Sequence, residues 1–170
     1  MPRPLSTATG ALLGGAGLCA GIASLAVPWG RYRARGTVLG GQPAPDPVSA
    51  AVFQVPGGTW YLLALGLLAG LLAIAALDTG RAVKLALSVA PSLGIVTAVL
   101  VIALANGVAT TAGRIDAIGL AGLEITGETA YGVWLGLAAG PLLGFGAGAV
   151  ALGRRRHHAP VAGAGAPLTE

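Results

Sequence analysis

The stretch GTWYLLALGLLAG (Gly58–Gly70) returns as GVWLGLAAGPLLG (Gly132–Gly144), at an offset of 74 residues and without a gap. Both copies read G-x-W-x-x-L-A-x-G-x-L-x-G, and neither carries a charge. Each opens an apolar run of the length a helix needs to cross a hydrocarbon core, about 20 residues. Two further apolar runs stand between and before them. The four place helices near 9–28, 59–77, 85–105 and 132–152, with no Asp, Glu, Lys, Arg or His in their interiors.

Composition agrees. The chain of 170 residues is 55% hydrophobic and 9% charged, with a mean hydropathy of +0.80. A soluble domain of this size has more charge to cover its core, so the class is integral membrane. Arg outnumbers Lys nine to one amid abundant Ala and Gly, as GC-rich bacterial coding produces. The net charge of +4 sits beside the apolar runs, where it reads as topology and lipid-headgroup contact. No basic stripe interleaved with aromatics is present, which argues against nucleic acid as a partner. Cys19 is a lone thiol inside the first run; it forms no disulfide couple and reads as a small packing residue.

The order is helix, long link 29–58, helix, short link DTGRAVK (Asp78–Lys84), helix, long link 106–131, helix, then a basic, low-complexity tail 154–170. With the N-terminus inside, Arg3, Arg81, Lys84, Arg154, Arg155 and Arg156 are cytoplasmic, against Arg31, Arg33, Arg35 and Arg114 outside. That bias, six to four, places both termini and the short link in the cytoplasm of a plasma-membrane protein. The aromatic residues agree: Trp29, Tyr32, Trp60, Tyr61, Tyr131 and Trp134 all lie where helices meet the long links. They read as a headgroup-level belt on one face. Arg3, the first apolar run and Ser24-Leu25-Ala26 also compose a passable secretory signal. The repeat favours a retained first helix, because each GxW helix wants an antiparallel helix before it.

The repeated unit predicts two tandem helix hairpins related by a pseudo-twofold axis along the membrane normal. Helix four carries Gly132, Gly136, Gly140, Gly144 and Gly148, one every four residues and so along one face. Helix two carries Gly66 and Gly70, and helix one Gly10, Gly14, Gly17 and Gly21. In lipid, small-residue faces let backbones approach and dispersion hold them together. The stripes read as packing seams of the bundle; that of helix four reads also as a seam for a second copy or another membrane protein. Pro141 interrupts helix four and predicts a bend, with a hinge as the competing reading.

In the first long link, Arg31, Arg33 and Arg35 alternate with Tyr32 and Ala34, the period of a strand. VSAAVFQV (Val48–Val55) and IDAIGLAGLEIT (Ile115–Thr126) are also strand-compatible, and TGET (Thr126–Thr129) reads as a turn. These segments predict a small β-containing extracytoplasmic cap on an all-α transmembrane four-helix bundle. The arginines are expected to pair with Asp116, Glu124 and Glu128, so that reversing Arg33 is rescued by reversing one of these acids; binding of anionic lipid or an acidic partner is the competing reading.

Catalysis in a membrane leaves polar residues at depth. The helix interiors hold only Cys19, Ser24, Ser88, Ser92 and Thr97, with Asn106 at an end. No carboxylate for proton coupling, no Ser/His or Cys/His pair and no phosphate loop occurs, and His157-His158 on a tail make a poor metal site. The sequence therefore predicts a protein that is not an enzyme and has no cofactor. It reads as a structural or accessory subunit, with a transporter or channel component as the alternative. With Pro28-Trp29 at the outer end of helix one, the chain resembles the small four-helix membrane proteins common in actinobacteria. Its helix and loop order is also similar to claudin-like tetraspan proteins, without their paired loop cysteines. Both resemblances imply architecture and no activity.

Overall fold

The computed structural model describes residues 7–38, 42–43, 46–77, 81–117 and 123–157. It is a bundle of four helices, α1 (Thr7–Ala26), α2 (Gly58–Leu77), α3 (Arg81–Ala117) and α4 (Tyr131–His157), with a small sheet at one end. All four helices are long and apolar enough to cross a membrane. Arg3, the link 78–80 and the tail from His158 lie outside the described residues.

The sheet is assembled on β1 (Gly30–Val38), which follows α1 directly. Along one edge, β4 (Leu123–Thr129) runs antiparallel from Gly30↔Thr129 to Gly36↔Leu123. On the other edge lie β3 (Val48–Ala50), from Gly30↔Ala50 to Tyr32↔Val48, and the two-residue β2 (Gln42–Pro43). Since β4 leads straight into α4, the units α1–β1 and β4–α4 form one antiparallel pair from the bundle through the cap. TGET is thus the end of a strand rather than a turn. A 3₁₀ turn, Val52–Gln54, then leads to α2. At Val55-Pro56-Gly57-Gly58 the Gly58 N–H donates to the Val55 carbonyl at 2.9 Å. Gly57 has φ +88°, so Pro at the second position and Gly at the third make a type II turn that aims the chain into the bundle.

Two helices exceed their predicted ends. The third was expected over 85–105 and continues to Ala117. Its 37 residues span about 55 Å, far beyond a hydrocarbon core of about 30 Å. Gly107 and the Thr-rich stretch after it lower helix propensity, so 106–117 reads as link; tertiary contact overrides propensity there. Leu104 and Val108 are buried and pack where Gly57 and Gly30 lie, so the extension becomes a post against which the cap rests. Helix four runs to His157 rather than Leu152, which makes the first basic tail residues helical.

The two-hairpin expectation is corrected. A pseudo-twofold would make α1–α2 packing the image of α3–α4. Instead α4 is the hub: it packs extensively on α1 and α3 and also on α2, whereas the backbones of α1 and α2 stay apart and meet through side chains. The larger core lies on the cap side of the bundle, around Trp29, Tyr61, Leu68, Val101 and Leu143. A smaller one at the other end joins Ala75, Val83, Ala86, Val150 and Ala151.

Candidate functional site

The glycines of α4 are occupied from within the chain. Four steps of four residues drift around a helix of 3.6 residues per turn, so the stripe winds from one neighbour to the next. At its start Gly132 and Gly136 face the indole of Trp29; a Cβ on Gly136 would lie 2.9 Å from Trp29 Cζ2 and Cη2. One turn on, Gly140 and Gly144 meet α3 backbone to backbone. A Cβ on Gly140 would lie 2.9 Å from the Gly94 carbonyl oxygen, and one on Gly144 2.5 Å from that of Ala90. Gly148 faces the ring of Pro91. Pro91 lies within α3 as Pro141 lies within α4, so the helix pair carries two prolines where the sequence reading singled out one.

Helix α1 uses its glycines in two sets seven residues apart. Gly10 and Gly17 lie on the backbone of α4, where added Cβ atoms would come within 2.7 Å of Val150 N and 2.6 Å of Leu143 N. Gly14 and Gly21 accept Leu72 and Leu65 of α2, themselves seven apart, the knobs-into-holes spacing. Gly146 of α4 abuts Gly14 and Gly10; it falls off the four-residue register and was missed. Gly66 and Gly70 are the exception: a side chain added at either would meet nothing within 4 Å.

The aromatic belt divides. Trp60, Tyr131 and Trp134 are 66%, 73% and 64% exposed, and Tyr32 is half-buried. Trp29 and Tyr61 instead turn inward and are fully buried. The Trp29 indole N–H donates to the Ser24 carbonyl at 2.7 Å, and its ring meets that of Tyr61 at 4.8 Å between centroids and 58° between planes. Ser24 Oγ donates to the Gly21 carbonyl at 2.6 Å and lies 2.8 Å from the Tyr61 hydroxyl. The Trp29 backbone is held as well: its N–H donates to Ala50 at 2.8 Å, and its carbonyl accepts from Ala130 at 3.0 Å. One residue thus ties α1, β3, the start of α4 and α2 together. Cys19, expected to be a packing residue, is exposed on α1.

On the cap, strand register sets which residue of β4 stands opposite each arginine. Arg31 stands opposite Glu128 and Arg35 opposite Glu124, while Arg33 stands opposite Thr126, whose hydroxyl donates to the Arg33 carbonyl at 3.3 Å. Reversal at Arg33 is therefore not the informative swap. We expect Arg31→Glu to lower thermal stability by about 0.2–1 kcal/mol, the scale of a cross-strand pair, and Arg31→Glu/Glu128→Arg to restore it. Equal losses in the single and double variants would show that the opposed charges do not interact. Arg31 and Glu128 also line a shallow groove of about 300 Å³ that Tyr131 and Trp134 close on the α4 side.

Ser24 and Thr97 are the buried polar residues among those described. Both are closed on the chain itself, Thr97 Oγ1 donating to the Leu93 carbonyl at 2.7 Å. No protein-family model, curated protein or solved structure matches this chain.

Proposed function

We propose that the chain is a multi-pass plasma-membrane protein with both termini cytoplasmic, acting as a non-catalytic structural or accessory subunit. The observation that carries this reading is the closure of the two buried polar side chains among the described residues. Ser24 bonds within the Gly21–Tyr61 cluster and Thr97 to its own helix, so neither offers a step on a solute path, which a transporter or channel component would need. The outer surface of the bundle supports membrane placement: Leu12, Ile22, Leu63, Leu67, Ile95, Val99, Ile102 and Phe145 all face outward, an apolar extent that water-soluble monomers rarely carry. Helix and loop order, with a cap drawn from both long links, supports an architectural likeness to claudin-like tetraspan proteins.

Because the stripe of α4 is filled internally, contact with a second copy or another membrane protein belongs to the cap and to the outward face of α2, where Gly66 and Gly70 leave room. Capture of the tagged chain in mild detergent, followed by mass spectrometry, is the test. A stoichiometric membrane or envelope protein, or a second copy, is expected. A monomer that conducts ions or solutes in proteoliposomes would overturn the reading in favour of the transporter alternative.

A further inference from the structure

We propose that the lateral groove between α1 and α2, at the end away from the cap, holds one acyl chain of an anionic glycerophospholipid with its phosphate on Arg154. The proposal rests on the membrane reading above. The α1 and α2 backbones lie apart, in contact through Leu65 and Leu72 on Gly21 and Gly14, and a groove of about 360 Å³ opens beside Leu72. Ala11 and Gly15 of α1 form one wall and Leu72 and Ala76 of α2 the other, with Val150 of α4 at the back. Thr7 and Arg154 stand at the end nearest the chain termini. From Thr7 to Gly15 the groove follows α1 for about 12 Å.

Small side chains make the space, since a Cβ on Gly15 would meet nothing within 4 Å. An apolar groove open to the side of a bilayer is filled by hydrocarbon, because an empty one forfeits dispersion contacts on every wall. That much suits any lipid. The selection comes from Arg154, the one charged residue lining the groove among the described residues. Its planar fork matches a phosphate better than any other side chain. Arg154 has an interaction of its own, and a guanidinium presents five N–H donors. Arg155 and Arg156 follow in the same helix, so the surrounding potential disfavours a headgroup carrying its own cation. Basic pockets between helices on the cytoplasmic side suit anionic headgroups for the same reason.

The test compares dimyristoyl phosphatidylglycerol with dimyristoyl phosphatidylcholine on the full chain in mild detergent, read by native mass spectrometry and by melting temperature. One phosphatidylglycerol per chain is expected, held roughly fivefold more tightly than phosphatidylcholine, the scale of one cation near a bilayer surface. Gly15→Leu points into open space, so it should melt like the parent without lipid yet lose the bound lipid. Arg154→Gln should abolish the preference, whereas Arg155→Gln/Arg156→Gln should keep most of it. Equal retention of the two lipids would overturn the site, as would a preference that survives Gly15→Leu or follows Arg155 and Arg156. So would an equal rise in melting temperature with inorganic phosphate, the signature of an anion site without an acyl chain. The underlying membrane reading is checked separately: release of the chain by alkaline carbonate would sink it, while retention with no lipid preference sinks the groove alone.

Discussion

Replacing Trp29 by Ala should lower stability by about 3–5 kcal/mol, the cost of emptying a fully buried aromatic site, and should uncouple the cap from the bundle. The indole fills the slot cut by Gly132 and Gly136, and a methyl group leaves that slot bare on α4. The same change removes the 2.7 Å bond to the Ser24 carbonyl and the ring contact that fixes Tyr61. Backbone bonds from Trp29 to Ala50 and Ala130 persist, so strand pairing outlasts the loss of the joint. Melting in mild detergent is the measurement, with proteolysis of the cap as a second readout. Trp29→Phe keeps most of the ring and loses the donor, so it should cost about 1 kcal/mol for that bond plus the lost ring volume. Trp134→Ala, at a residue 64% exposed, should change stability by no more than about 0.5 kcal/mol. If Trp134→Ala were as damaging as Trp29→Ala, the division of the belt into anchors and a buried joint would be wrong.

Trp29 and Trp134 look alike in sequence because both sit where a helix meets a long link. What separates them is the opposing surface, and that surface comes from residues a hundred positions away. The four long apolar helices were legible, since runs of this length and apolarity admit few alternatives. So was the strand carrying Arg31, Arg33 and Arg35, whose charges alternate. Its partner was harder: setting Arg31 opposite Glu128 and Arg35 opposite Glu124 is a matter of register, and composition favours no acid over another. The extension of α3 was hidden because Gly107 and Thr110 argue locally for a link, while the burial of Val108 under β1 is a tertiary fact. Gly146 was hidden by the regular spacing of its neighbours. A signal did exist, since the glycines of α1 require a smooth counterpart and Gly146 is the small residue facing Gly14 and Gly10. Pro91 stood in plain view inside an apolar run and marks where α3 receives Gly148.

The doubled motif yields the most discriminating prediction, because its two copies put equivalent glycines in opposite surroundings. Trp60 and Trp134 stand at matching places and are exposed alike. Gly70 and Gly144 also match, yet only the second is covered. Gly144→Leu drives a side chain into the α3 backbone, with its Cβ 2.5 Å from the Ala90 carbonyl oxygen and 3.0 Å from Gly94 Cα. No rotamer relieves a clash that begins at Cβ, and backbone on both sides cannot give way as a side-chain tip would. The helices must separate along the crossing, so the loss should reach at least about 3 kcal/mol, the upper end of overpacking costs. Gly94→Leu attacks the same crossing from α3 and should cost as much; combined, the two losses should fall well short of their sum, since either alone opens the gap. Gly70→Leu adds a side chain to open space and should lie within about 0.5 kcal/mol of the parent. Were the α4 stripe a seam between molecules instead, Gly144→Leu would alter oligomeric state and leave the melting temperature of the single chain unchanged. Melting curves beside size measurement in detergent separate the two outcomes, and an unchanged melting temperature would move α4 from the centre of the bundle to its edge.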